Sequence, residues 1–203
     1  MITRRHFMMS SAALAGSLAL AACGSSFGSA STSSNSPIRF GVSGPFTGDD
    51  AEYGQTWKKA WALILDEINA KGGINGRKVQ LNYQDSQADP KQSVLIAQKF
   101  ADDSTILAEL GDFASPASMA ASPIYERAGL VQFGFTNSHP KFTLGGDHMF
   151  STSVTQSVAA VDMAKRSIQD LKGRRQAVLY LDTDWGNTTA GIYIPAAKAQ
   201  GAT

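Results

Sequence analysis

Apolar and polar positions along this chain follow two alternating periods, and the alternation predicts a strand–helix repeat. Ile38-Arg39-Phe40-Gly41-Val42 is short and apolar-rich and predicts a first strand, closed by a Gly44-Pro45-Phe46-Thr47-Gly48 turn. From about Tyr53 to Ala70, Trp57, Trp61, Ile64, Leu65 and Ile68 recur at helical spacing and form one stripe. Asp49 or Asp50 is placed to cap this helix, and Lys71-Gly72-Gly73 stops it. Lys78 to Tyr83 alternates with period two and predicts a second strand. Asp89-Pro90 opens a helix with Asp as N-cap and Pro in the first turn; Val94, Leu95, Ile96, Ala97 and Phe100 carry its apolar residues.

The repeat continues. Ile106 to Leu110 predicts a third strand, and Ser115-Pro116 opens a helix running to about Ala128. Leu130 to Phe135 predicts a fourth strand, and Met149 to Val154 a short extended segment. A helix follows from about Val158 to Leu171, then a strongly apolar strand over Gln176 to Leu181, then a last helix from Gly186 to Gln200. Strand–helix order of this kind predicts an α/β fold with a mostly parallel sheet flanked by helices. Ligands of such sheets bind beyond the carboxyl ends of the strands. That edge takes in the turns at Ser43 to Tyr53, Gly111 to Pro116, Phe135 to Pro140 and Asp182 to Gly186.

The N-terminus departs from this pattern. Arg4 and Arg5 lie in a basic head, and an apolar run from Ala12 to Ala22 follows. At about 11 residues it is shorter than the ~20 needed to span a bilayer, and it ends in small residues, as an export signal does. Thr3-Arg4-Arg5-His6-Phe7 resembles a twin-arginine signal, with a general secretory signal as the alternative. Leu20-Ala21-Ala22-Cys23 resembles a lipobox, in which the Cys23 thiol takes the lipid and becomes the new N-terminus. Residues 1–22 are then the signal, and residues 23–37, dominated by Ser and Gly, a flexible tether with a reach of about 20 Å.

Charge and composition narrow the function. The sequence holds 18 basic and 17 acidic residues; without Arg4 and Arg5 the count is 16 against 17, a net charge of −1. This balance lacks the basic footprint of a nucleic-acid binder. One cysteine excludes internal disulfides and Cys-based zinc sites. No dinucleotide fingerprint or P-loop is present, and Ser115 lacks a nucleophile elbow. His139 and His148 lack metal-ligand spacing and read as solvated surface residues. Asp182 and Asp184 read as turn and cap residues. The sequence assembles no acid, base and nucleophile, so it predicts a binding protein without enzymatic activity, cofactor or metal.

Several pieces in order resemble one family. They are Ser43-Gly44-Pro45, Tyr53-Gly54, the run from Asp66-Glu67 through Asn69-Ala70-Lys71-Gly72-Gly73-Ile74-Asn75-Gly76-Arg77, Asp89-Pro90, and Ser122-Pro123-Ile124-Tyr125-Glu126. Together they are similar to the branched-chain amino-acid-binding proteins, the leucine/isoleucine/valine-type solute-binding proteins of ABC importers, from about Ile38 to Thr203. The resemblance implies a type I periplasmic-binding-protein fold, two α/β lobes closing on a ligand. Residues 38–150 would form a first, complete lobe, and residues 151–203 a crossover and the start of a second, partial lobe. The chain thus resembles a fragment of the family's length.

The resemblance also implies site roles. Ser115 matches the serine that hydrogen-bonds the ligand carboxylate, a role compatible with being an N-cap before Pro116. Thr136 and Ser138 match positions that hold the amino-acid head group; an ordinary turn is the alternative. Tyr53 sits where an aromatic closes over the ligand, or is a plain helix-start residue. Trp185 stands where the family usually has Tyr before Gly, and a larger ring there changes the pocket. The implied ligand is an amino acid of branched-chain type or a similar small polar molecule, and the implied partners are ABC permease subunits and, through Cys23, a membrane. The implied location is the periplasm or cell envelope. A ligand sensor of the same fold, a binder of short amides or urea or of aromatic acids, and a lipid-anchored α/β enzyme are the alternatives.

Overall fold

A computed structural model describes residues 36–203. Arg4, Arg5, Cys23 and most of the tether lie outside the described residues. The described part is an α/β unit whose strands are β1 (Ile38–Gly44), β2 (Val79–Asp85), β3 (Ile106–Leu110), β4 (Val131–Phe133) and β5 (Met149–Phe150). Its α-helices are α1 (Ala51–Ala70), α2 (Pro90–Asp102), α3 (Ser115–Ala128), α4 (Gln156–Gln169) and α5 (Asp184–Ala199). The sheet order is β2-β1-β3-β4-β5, and every pairing is parallel. All the carboxyl ends therefore meet at one edge of the sheet.

Two glycines of β1 show how helices cover both faces. A Cβ on Gly41 would sit 2.7 Å from the Phe100 ring of α2, while a Cβ on Gly44 would sit 2.6 Å from Trp57 of α1. Positions three apart on a strand point to opposite faces, so α1 and α2 lie on opposite sides. On the α2 side, Ile96, Ala97 and Phe100 pack with Ile106, with Ala121 and Tyr125 of α3, and with Phe142 and Met149 in the main core. On the α1 side, Trp57, Trp61, Tyr83, Phe113 and Phe135 form a chain of ring contacts; Trp57 and Phe135 are 4.7 Å apart, edge to face.

Local chemistry explains the element ends. The Asp89 side chain accepts from Lys91 N and Gln92 N, capping α2 as its sequence predicts. Gly72 and Gly73 have φ of 98° and 81°, the left-handed region needed to turn the chain out of α1. Asp50 occupies the N-cap of α1, but its side chain makes no cap bond. Asp85 instead holds the preceding turn, accepting from Phe46 N at 2.8 Å and from the Thr47 hydroxyl.

Four expectations need correction. Ile64 of the predicted α1 stripe is exposed, as is Leu95 of α2; the sheet reaches only the sides carrying Trp57 and Ile96. Ser115 is not the N-cap of α3, which is Ala114; Ser115 is its first helical residue. His139 is not a solvated surface residue: it is buried at 5% exposure. The run Gln176 to Leu181 forms no assigned strand, and Leu179 is 96% exposed. Only its start is paired: Thr203 N donates to Arg174 O and Gln176 N to Thr203 O, the exchange of a parallel bridge. Among the described residues nothing continues that pairing along Ala177 to Leu181. An apolar run reads as a strand in sequence, but it becomes one only beside a partner.

Candidate functional site

The carboxyl ends of β1, β3 and β4 place three turns side by side, and a layer of buried polar residues supports them. Asp112, directly after β3, is 1% exposed. Its carboxylate accepts from Ser93 Oγ at 2.8 Å and from Phe113 N at 2.5 Å, and its own N–H donates to Ser118 Oγ at 2.8 Å. Its carbonyl accepts from Asn137 Nδ2 at 2.9 Å and from Thr136 Oγ1 at 3.1 Å. The Asp112 turn is thus tied to α2, to α3 and to the turn after β4. Burial pushes the Asp112 carboxyl upward against the lowering effect of the serine hydrogen bonds.

Glu109 of β3 lies deeper. It is wholly buried, and Ser43 Oγ donates to its Oε1 at 2.5 Å. Burial pushes its carboxyl up to about 8, so it holds its proton at neutral pH. Its Oε2 and the Tyr125 hydroxyl have no protein partner among the described residues. The sequence pattern does not single out Glu109 or Asp112; for Glu109 the available signal is an acid inside the apolar run Ile106 to Leu110.

Above this layer stand the residues proposed from sequence. Ser115 begins α3 and is 3% exposed. The Ala114 N-cap has no side-chain cap, and Pro116 has no N–H to offer, so the Ser115 and Ala117 N–H groups face the edge without a capping oxygen. With the helix dipole they form an electropositive end suited to an anion. Thr136 Oγ1 bonds the Asp112 and Phe113 carbonyls, which fixes it beside that helix start. Tyr53, in the first turn of α1, stacks on Phe113 at 4.3 Å and 22°. Trp185, in the first turn of α5, donates from Nε1 to Ser138 Oγ at 2.8 Å. Tyr53 and Thr136 both meet Phe113, two residues before Ser115 at the α3 start, and Ser138 pairs separately with Trp185.

The connection between 134–140 and the last two helices is also polar. Ser151 Oγ and Ser153 Oγ donate to the Asn137 and Phe135 carbonyls at 2.7 and 2.8 Å. Gln156 N donates to the Ser138 carbonyl at 2.8 Å, and Gln156 Nε2 to the Trp185 carbonyl at 2.7 Å. Asp184 is the first residue of α5 and lies 3.2 Å from His139, while the capping side chain is that of Thr183, which accepts from Gly186 N. His148, half-buried, meets Glu126 at 3.1 Å. An open groove of about 630 Å³ runs along Val178 to Leu181 between Met163 and Tyr193. One wall is the unpaired apolar run, the others come from α4 and α5, and Trp185 alone among the five site residues lines it. Among the described residues no group of three or more His, Cys, Asp or Glu could hold a metal ion, and no helix is long and apolar enough to cross a membrane.

Comparison with known proteins gives the same architecture. The family model described as periplasmic binding protein matches residues 37–203. An amino acid binding protein of Pseudomonas aeruginosa is 31% identical over 161 residues, 79% of this chain and 43% of the relative. The structure of an ABC transporter substrate-binding protein from Desulfitobacterium hafniense in complex with Leu has 32% identity and a TM-score of 0.70, over 82% of this chain and 49% of that one. A solute-binding protein of an ABC transporter from Rhodopseudomonas palustris, in complex with 3,4-dihydroxybenzoic acid, shares the fold at 21% identity. Its TM-score is 0.74, over 83% of this chain and 45% of that one. The chain spans about half the length of the relatives it matches.

Proposed function

The chain belongs to the periplasmic binding protein family, and from that membership we propose that it is the ligand-binding lipoprotein of an ABC importer. Residues 1–22 direct export, Cys23 carries the lipid, and residues 23–37 tether the binding region to the membrane. Residues 38–150 form the first ligand-binding lobe and residues 151–203 begin the second. A branched-chain amino acid, or a similar small carboxylate, is held at the turns after β1, β3 and β4 and delivered to a permease. The observation that carries this reading is the meeting of Ser115, at the uncapped start of α3, with Thr136 and the Tyr53–Phe113 stack on one edge. The helix start receives the carboxylate, and the rings cover the apolar part of the ligand.

The same rings favour a second reading, an aromatic acid as ligand. Isothermal titration of the protein with L-leucine, L-isoleucine, short amides and 4-hydroxybenzoate separates the two. Saturable binding of an aliphatic amino acid supports the first and preference for the benzoate the second. Binding of none of them contradicts both.

A further inference from the structure

The contact between the 134–140 turn and α5 carries an inference that rests on the two-lobe reading. His139 sits in that turn with its side chain 4% exposed. Its Nδ1 accepts from Lys141 N at 3.1 Å, which places the ring proton on Nε2. That Nε2–H points to α5, where the Asp184 carboxylate and the Thr188 hydroxyl both lie at 3.2 Å. The next residue after Asp184 is Trp185, whose indole N–H donates to Ser138 Oγ; the residue before His139 is Ser138 itself. The two bonds are therefore one unit: adjacent residues of one turn hold adjacent residues of one helix. A hydroxyl has one proton and accepts with its oxygen. With the Trp185 N–H on its oxygen, Ser138 keeps its proton to donate.

We infer that His139 is a positioning residue that docks the start of α5 and so holds Trp185 on Ser138, leaving the Ser138 hydroxyl to donate to an oxygen of the bound ligand. Recognition at this turn is then of a hydrogen-bond acceptor, a carboxylate or carbonyl oxygen.

The test reads the indole N–H signals of the uniformly 15N-labelled full-length protein. The three tryptophans, Trp57, Trp61 and Trp185, give two internal controls and one reporter. His139→Ala and Ser138→Ala each raise the hydrogen-exchange rate of the Trp185 indole by about tenfold and leave Trp57 and Trp61 unchanged. His139→Gln retains slow exchange, because its amide N–H can donate to Asp184 and Thr188. Asp184→Ala, at an exposed side chain, raises the Trp185 rate in the same direction and decides the matter if His139→Ala does not fold. Equal Trp185 exchange in wild type and variants overturns the inference. So does acceleration of all three indoles together, which would mark a loss of packing. These measurements need no ligand, so they stand whether or not the importer reading survives. Added 4-hydroxybenzoate or L-leucine, whichever binds, moves the Trp185 signal in wild type but not in Ser138→Ala; an identical response in both overturns the donor role.

Discussion

Glutamine in place of Glu109 keeps the side chain's size, keeps an oxygen that accepts from Ser43 Oγ and removes the ionisable group. In wild type the folded chain holds this proton up to about pH 8, whereas an ordinary glutamate releases it near 4.5. The folded state thus binds more protons than the unfolded chain between those values, and stability falls as pH rises through them. At about 1.4 kcal/mol per pH unit, the full interval corresponds to about 5 kcal/mol, of which about 2–3 kcal/mol falls between pH 5 and pH 7. Glu109→Gln lacks this slope. Asp112, also pushed upward by burial, contributes to both proteins and largely cancels in their difference. Urea unfolding of both proteins at pH 5, 7 and 9 measures that difference directly. The variant gains on wild type by about 2–3 kcal/mol from pH 5 to 7, and the gain levels off above pH 8. A difference independent of pH would refute the claim that Glu109 is buried and protonated.

Other substitutions test the frame and the anchor. Gly41→Ala places a methyl group 2.7 Å from the Phe100 ring and costs about 1–3 kcal/mol in urea unfolding; an unchanged midpoint contradicts the close packing of β1 on α2. Asp89→Ala removes the acceptor of two α2 N–H groups and costs about 1 kcal/mol in the same assay. Cys23→Ser shifts the protein from the membrane fraction to the soluble one on cell fractionation; an unchanged distribution refutes lipid attachment at Cys23.

Much of the fold was legible because its signals are local. The Asp89-Pro90 start, the Gly72-Gly73 stop and the spacing of Trp57, Trp61 and Leu65 each act within a few residues. The strand–helix alternation then leads to the parallel sheet. The pairing of Gln176 to Leu181 was not legible, since a strand depends on a neighbour that its own sequence does not contain. Nor was the polar layer beneath the site. Ser43, Ser93, Glu109, Asp112 and Ser118 come from four elements and the turn after β3, and only the sheet order brings them together. His139 was misplaced for the same reason: its burial comes from α5, about 45 residues further along. Among the site residues, Ser115, Thr136 and Tyr53 are nominated through the family resemblance, and they lie in the turns and helix starts beyond the strand ends, where such sheets bind ligands.

The central claim, that the open start of α3 receives a ligand carboxylate, is tested most directly by titrating L-leucine and 4-hydroxybenzoate into wild type and Ser115→Ala. The account predicts saturable binding of at least one of them by wild type and an affinity about tenfold lower in the variant, the loss of one hydrogen bond to a charged group. Binding of equal strength in both proteins, or none in wild type, would contradict it.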